Sequence, residues 1–184
     1  MLHLGFDASV PPGTPYPGAR AVLGYIGGNT PHVWSRGEWL AFQHLAQFPI
    51  WVGVFEDDPA GHAAEAVRAA HGLGWSANPP SRNRRAIVLD YETQVDPAWI
   101  NAFAGQVWRG GYETFVYGSQ STVDENPPKE GRIIALYNGR PDLTSDPFAV
   151  GHQFSANIAF DGTFVDLDVV TDTMMAHAGL GPRA

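Results

Sequence analysis

The chain has 184 residues, is 44% hydrophobic, carries a formal net charge of −8 and contains no cysteine. That size and composition suit one globular domain with a substantial core, and the negative charge argues against binding nucleic acid or an anionic membrane by long-range attraction. The missing cysteines exclude disulfides, thiol nucleophiles and thiolate metal sites, and no apolar run approaches the ~20 residues of a membrane-spanning helix.

At the amino terminus Met1-Leu2-His3-Leu4 runs straight into apparent structure. It has neither the basic region nor the apolar stretch of a secretion signal. Apolar, β-branched runs then predict strands at 2–7, 21–26, 50–55, 86–91, 114–117 and 133–137, with two more around 150–155 and 163–167. Helical patterns fall at 36–47, 60–73, 97–109 and 171–178. Ser35 with Glu38 three residues later forms a capping-box pattern, and Asp58-Pro59 and Asp96-Pro97 each place an N-cap acid before a proline. Stretches 11–18 and 119–131 read as loops standing where a helix would otherwise cross over. Asp161-Gly162 between apolar residues signals a hairpin.

Strands alternating with helices imply parallel βα units. The expected fold is α/β: a single TIM-like β/α barrel over residues 1–184, with about eight strands and fewer than eight helices. The chain falls short of the roughly 200–250 residues of a complete (β/α)₈ barrel, so some crossovers must lack a helix.

The acids fall at strand ends. Asp7 closes the first strand, Glu56, Asp57 and Asp58 follow the third, Asp90 and Glu92 end the fourth, and Asp166 and Asp168 end the last. In a parallel barrel those ends share one rim, where such enzymes place their active sites. Asp90 and Glu92, two apart on a strand, project to the same side, with Leu89 and Tyr91 on the other. A D-x-E can simply cap a strand, and Asp58 is explained by its N-cap. Asp7, Asp90, Glu92 and Asp166 together suit glycosidic bond cleavage, which needs one protonated and one ionised carboxyl in one site. Gathered acids raise one another's pKa values.

Such a rim could instead hold a hard cation. The seven histidines, however, form no ligand spacing, and His3 is better explained as a satisfied interior residue. No metal and no cofactor are expected. Neither a phosphate-binding glycine loop nor a Gly-x-Ser-x-Gly elbow is present. Tyr25, Tyr117 and Tyr137 end strands two, five and six, and Trp34 lies in a loop beyond strand two. Aromatic planes of this kind stack on the C–H faces of sugar rings. Trp39, Trp51, Trp75, Trp99 and Trp108 are expected in the core.

Gly5-Phe6-Asp7-Ala8-Ser9, Leu89-Asp90-Tyr91-Glu92, Phe115-Val116-Tyr117, Ile134-Ala135-Leu136-Tyr137, Gln153-Phe154-Ser155 and Phe164-Val165-Asp166-Leu167 occur in that order along the chain. Together they resemble the family 25 glycoside hydrolases, lysozymes that cleave the β-1,4 bond after N-acetylmuramic acid in peptidoglycan. The second strand, Gly24-Tyr25-Ile26-Gly27-Gly28, departs from the family pattern. Ile133 and His152 stand where that family commonly has Trp, and Asp168 where Asn is usual. These departures bring the chain nearer to divergent glycoside hydrolase-like domains of actinobacteria and their phages.

The resemblance implies a barrel with fewer helices than strands and a muramidase-type activity on cell-wall polysaccharide. By it Glu92 is the general acid, Asp90 and Asp166 orient substrate or stabilise an oxocarbenium-like state, and Asp7 completes the acid floor. Tyr25, Trp34, Tyr117, Tyr137 and Gln153 become the substrate-contacting set. The competing expectations are a catalytically silent carbohydrate-binding or structural barrel and a metal-dependent hydrolase. The chain is expected to act as a monomer or as part of a larger protein. A phage lysin, an excised domain of a secreted or virion protein, and a cytoplasmic protein all remain open.

Overall fold

A computed structural model describes residues 1–54, 58–75, 83–91, 96–125, 131–143 and 146–178. Eight strands close a barrel in simple sequence order. They are β1 (Leu2–Ala8), β2 (Ala21–Gly28), β3 (Ala46–Val52), β4 (Ala86–Asp90), β5 (Glu113–Ser119), β6 (Arg132–Ala135), β7 (Ala149–Phe160) and β8 (Thr163–Thr171). Neighbours from β1 through β7 pair in parallel, whereas β8 runs antiparallel to both β7 and β1. Five helices accompany them among the described residues: α1 (Arg36–Ala41), α2 (Pro59–Gly72), α3 (Pro97–Arg109), α4 (Gln120–Glu125) and α5 (Asp172–Met175). The expected α/β barrel, with eight strands and fewer than eight helices, is the fold observed.

Strand alternation sorts the core into two layers. Inside the barrel, Leu23, Phe48, Ile50, Val88, Phe115 and Ile133 pack against one another. Outside, Phe6, Ile87, Leu89, Tyr91 and Val116 meet Ala63, Ala66, Trp99 and Phe103 of α2 and α3. Val88 therefore faces inward, and Leu89 and Tyr91 face the helices, as the period-2 pattern of β4 requires. Tyr91 stacks on Trp99 with ring centroids 5.1 Å apart. The helix starts also follow the sequence signals. Asp58 accepts from Ala60 and Gly61 N–H, Asp96 from Ala98 and Trp99 N–H, and Ser35 with Glu38 makes the reciprocal capping box.

Five local expectations are corrected. The first helix stops at Ala41 rather than 47, and β3 begins at Ala46, four residues earlier than read. The apolar residues Phe42 and Leu45 continue the helical period, but they belong to a turn. Gln47 then donates its amide to the Trp39 carbonyl at 2.8 Å and fixes the start of β3. The stretch after β5, read as a loop, contains α4. The final helix is only Asp172–Met175, set by the Thr171 hydroxyl accepting from Met174 N–H. Trp108, expected in the core, is 47% exposed, and the Arg84 guanidinium lies 3.5 Å from its ring centroid. A cation–π contact satisfies that ring in place of burial.

Candidate active site

The reversal of β8 decides how the acids meet. Asp166 and Asp168 do not end a parallel strand, as the sequence reading had it. After the turn at Asp161-Gly162, β8 enters the barrel from the rim and runs downward, so Asp166 and Asp168 lie on either side of its midpoint. Asp7 pairs with Asp166 across the β1–β8 ladder, and Gly5 pairs with Asp168 one step deeper. Directly paired residues share a face, so all of these positions project into the barrel. Asp90, the last residue of β4, is buried at the same end and pairs in register with Tyr117 of β5. Its charge acts on Asp7 across the interior.

Gln153 of β7 ties the group together. Its amide nitrogen donates to Asp7 Oδ2 at 3.1 Å and to Asp166 Oδ2 at 2.8 Å. The Gln153 carbonyl oxygen accepts from the Tyr117 hydroxyl. Tyr117 also bonds Tyr137, whose ring is 59% exposed beyond β6. The other Asp166 oxygen accepts the Asn157 backbone N–H at 2.6 Å. Asn157 sits at a φ of 58°, in the left-handed region, where β7 is bulged against β8. Bulges beside functional sites re-aim backbone groups, and here an N–H is turned onto a carboxylate.

Burial and mutual repulsion hold these acids above the ordinary carboxylate range. Asp7 is pushed up to about 8, mainly by burial and then by the charge of Asp166, with Asp90 adding to it and the Gln153 amide opposing it. Asp166 is also raised by burial, held back by the Asn157 N–H and by Gln153. Asp168, 0% exposed, is raised well above the ordinary range by burial and by the neighbouring Asp7. Burial, followed by the Asp7 charge, raises Tyr117. The result is a floor in which Asp7 and Asp168 retain protons near neutrality.

Of the residues singled out from the sequence, Asp7, Asp90, Asp166, Gln153 and Tyr117 come together at this end of the barrel. Tyr25 is half-buried and packs against the interior layer. Tyr137 stands at the edge. Glu92 lies outside the described residues, as do Glu56 and Asp57. Trp34 is a correction. It is 1% exposed, its Nε1 donates to the Ala8 carbonyl at 3.1 Å, and a Cβ on Gly24 would come within 2.7 Å of its ring. Glycine at 24 lets the indole lie flat on the outside of β2 beside Trp39 and Phe42, leaving it no face for a ligand.

Asp168 was under-read. The signal lies in the spacing, since residues two apart on a strand share a face and Asp166 is itself one of the candidate acids. Among the described residues, no group of three or more His, Asp or Glu side chains is arranged to hold a metal ion.

Fold and site thus define an eight-stranded β/α barrel with a hydrogen-bonded acid floor edged by tyrosines. No family model matches the chain, and no curated protein matches it. Solved structures share its fold. The catalytic domain of endolysin ply40 from bacteriophage P40 of Listeria monocytogenes superposes with a TM-score of 0.72 at 16% identity, covering 95% of this chain and 96% of that one. An uncharacterized B. stearothermophilus protein superposes with a TM-score of 0.69 at 16% identity, covering 96% of this chain and 100% of that one.

Proposed function

We propose that this chain is a lysozyme-like glycosidase that hydrolyses β-1,4 bonds of bacterial cell-wall peptidoglycan, with Glu92 as general acid. The observation that carries the reading is the Asp7–Gln153–Asp166 bridge with Asp90 and Tyr117 at the same end of the barrel. Glycoside hydrolysis needs carboxyl groups in different protonation states, and crowded, buried acids supply them. Likeness in fold to a phage endolysin catalytic domain favours a cell-wall substrate among the glycans.

In this mechanism Glu92, two residues beyond Asp90, protonates the leaving glycosidic oxygen. Asp90 and Asp166 stabilise positive charge that develops on the sugar ring in the oxocarbenium-like transition state. Asp7 and Gln153 hold Asp166 in register. Tyr25, Tyr117 and Tyr137 offer ring faces and hydroxyls to the sugars.

The test is digestion of purified peptidoglycan with separate assays for new reducing ends and new free amines. Reducing ends without free amines, released as muramic-acid-terminated fragments by mass spectrometry, are expected. Free amines without reducing ends would replace the glycosidase by an amide hydrolase. Binding to glycan with no release would make the barrel a carbohydrate-binding module.

A further inference from the structure

We propose that Asp168 stands in the folded protein as a neutral carboxylic acid that donates a hydrogen bond to Asp7, and so positions the Asp7 carboxyl against Gln153. Asp168 is fully buried, and neither of its oxygens meets an N–H or O–H donor. An ionised carboxylate in that position would be a desolvated, unpaired anion, among the most unfavourable arrangements a core can contain. Its side chain is nevertheless in hydrogen-bond contact with Asp7, another carboxyl. Two carboxylates cannot bond unless one carries a proton. One proton on Asp168 removes the buried charge and turns an orphan acceptor into a donor aimed at Asp7.

The surroundings leave that proton no rival. From β1 Asp168 faces Asp7 and, deeper, Gly5, which has no side chain. From β8 it faces Asp166, from β4 Asp90, from β5 Tyr117 and from β7 Gln153. The inner faces of β2, β3 and β6 contribute Leu23, Tyr25, Ile50 and Ile133. None of these residues is a cation. His3, further down β1, is engaged with Asp172 at 2.7 Å. Asp168 lies deeper than Asp7, so Asp7 ionises first and Asp168 keeps the remaining proton. The contact is then a charge-assisted O–H···O⁻ bond.

Protonation of Asp168 stands independently of the chain's activity, whereas the positioning role rests on the glycosidase reading. The direct experiment is infrared spectroscopy of the whole protein across pH 5–10, following the carbonyl stretch of protonated carboxyl groups. Wild type should retain one such band above the pH at which Asp7 ionises, and Asp168→Asn should lose it while Asp166→Asn keeps it. No band in wild type at pH 7, or a band unchanged in Asp168→Asn, would overturn the proposal. If Asp168→Asn folds poorly, sequentially assigned carbon-13 carboxyl shifts of wild type decide the same point.

For the positioning role, Asp168→Leu should lower kcat by roughly tenfold to a hundredfold, the worth of one charge-assisted hydrogen bond, with little change in KM. Asp168→Asn, which still offers an N–H, should recover most of that loss. Equal activity of the two variants would overturn the positioning role. A wild type that cleaves no glycan would count against the glycosidase, and the infrared result would still decide the proton.

Discussion

Asp7 and Asp166 stand directly opposite one another where β1 meets β8, and one amide nitrogen, that of Gln153, bonds to both, at 3.1 and 2.8 Å. Two carboxyls brought together in a barrel interior repel one another. The bridge offsets part of that repulsion and fixes the spacing of the pair. A β8 parallel to its neighbours would not place Asp166 opposite Asp7 in this way, because the contact depends on the strand running antiparallel into the site.

Replacing Gln153 by Leu keeps much of the volume and removes the bridge. Leaving buried polar partners unsatisfied should cost roughly 1–3 kcal/mol. Each kcal/mol corresponds to a fall in Tm of about 2–4 °C at this size. Gln153→Glu should be worse near neutral pH than at pH 4–5, because it adds another ionisable acid to the floor. Thermal melts of both variants at the two pH values check this. A Gln153→Glu variant that melts with wild type at pH 7 would show that the bridge carries no weight.

Asp7 titrates at about 8 in the folded chain against 3.8 ordinarily, chiefly because it is buried. The folded state therefore binds a proton that the unfolded chain has already lost. This contribution to stability is fully present below about pH 4 and is lost progressively as pH rises to about 8. Asp7→Asn cannot lose it. The Tm of Asp7→Asn minus that of wild type should climb between pH 4 and pH 8 and then level off, each pH unit being worth at most about 1.4 kcal/mol. A pH-independent difference would contradict the raised Asp7 carboxyl.

Much of this architecture was legible in the chain. β4 announced itself because Ile87, Val88 and Leu89 are apolar on both faces, as a strand between a filled barrel and a helical layer must be. The caps at Asp58 and Asp96 were readable because a short acid before proline has one strong local use. The direction of β8 was implicit in the Asp161-Gly162 turn, yet its effect on Asp166 and Asp168 depends on tertiary closure. The end of α1 was hidden because Phe42 and Leu45 obey the helical period while packing from a turn. Trp34 misled because position along the chain cannot reveal that Gly24 clears a seat for an indole on the outer wall.

The segment between β6 and β7 bears Tyr137, and it is held by buried contacts. Arg132 meets Asp146 at 2.6 Å with both side chains buried, and the His152 ring nitrogens lie 2.5 and 3.0 Å from the Asp142 and Leu136 carbonyls. Arg132→Leu strands a buried carboxylate and should destabilise by roughly 3–5 kcal/mol. The double variant Arg132→Leu with Asp146→Leu should recover a large part of that loss. Denaturant unfolding of both variants checks this. A double variant no more stable than the single would mean the ion pair is not what holds the segment.

The most direct test of the glycosidase reading compares wild type with Glu92→Gln on purified peptidoglycan, measuring reducing-end release and Tm together. Gln keeps the shape of Glu but cannot donate the proton. Turnover should fall by about 10²–10⁴-fold, the usual contribution of a general acid, while Tm stays near that of wild type. Reducing-end release by Glu92→Gln at the wild-type rate would contradict the assignment and leave the barrel's acid floor without its proposed chemistry.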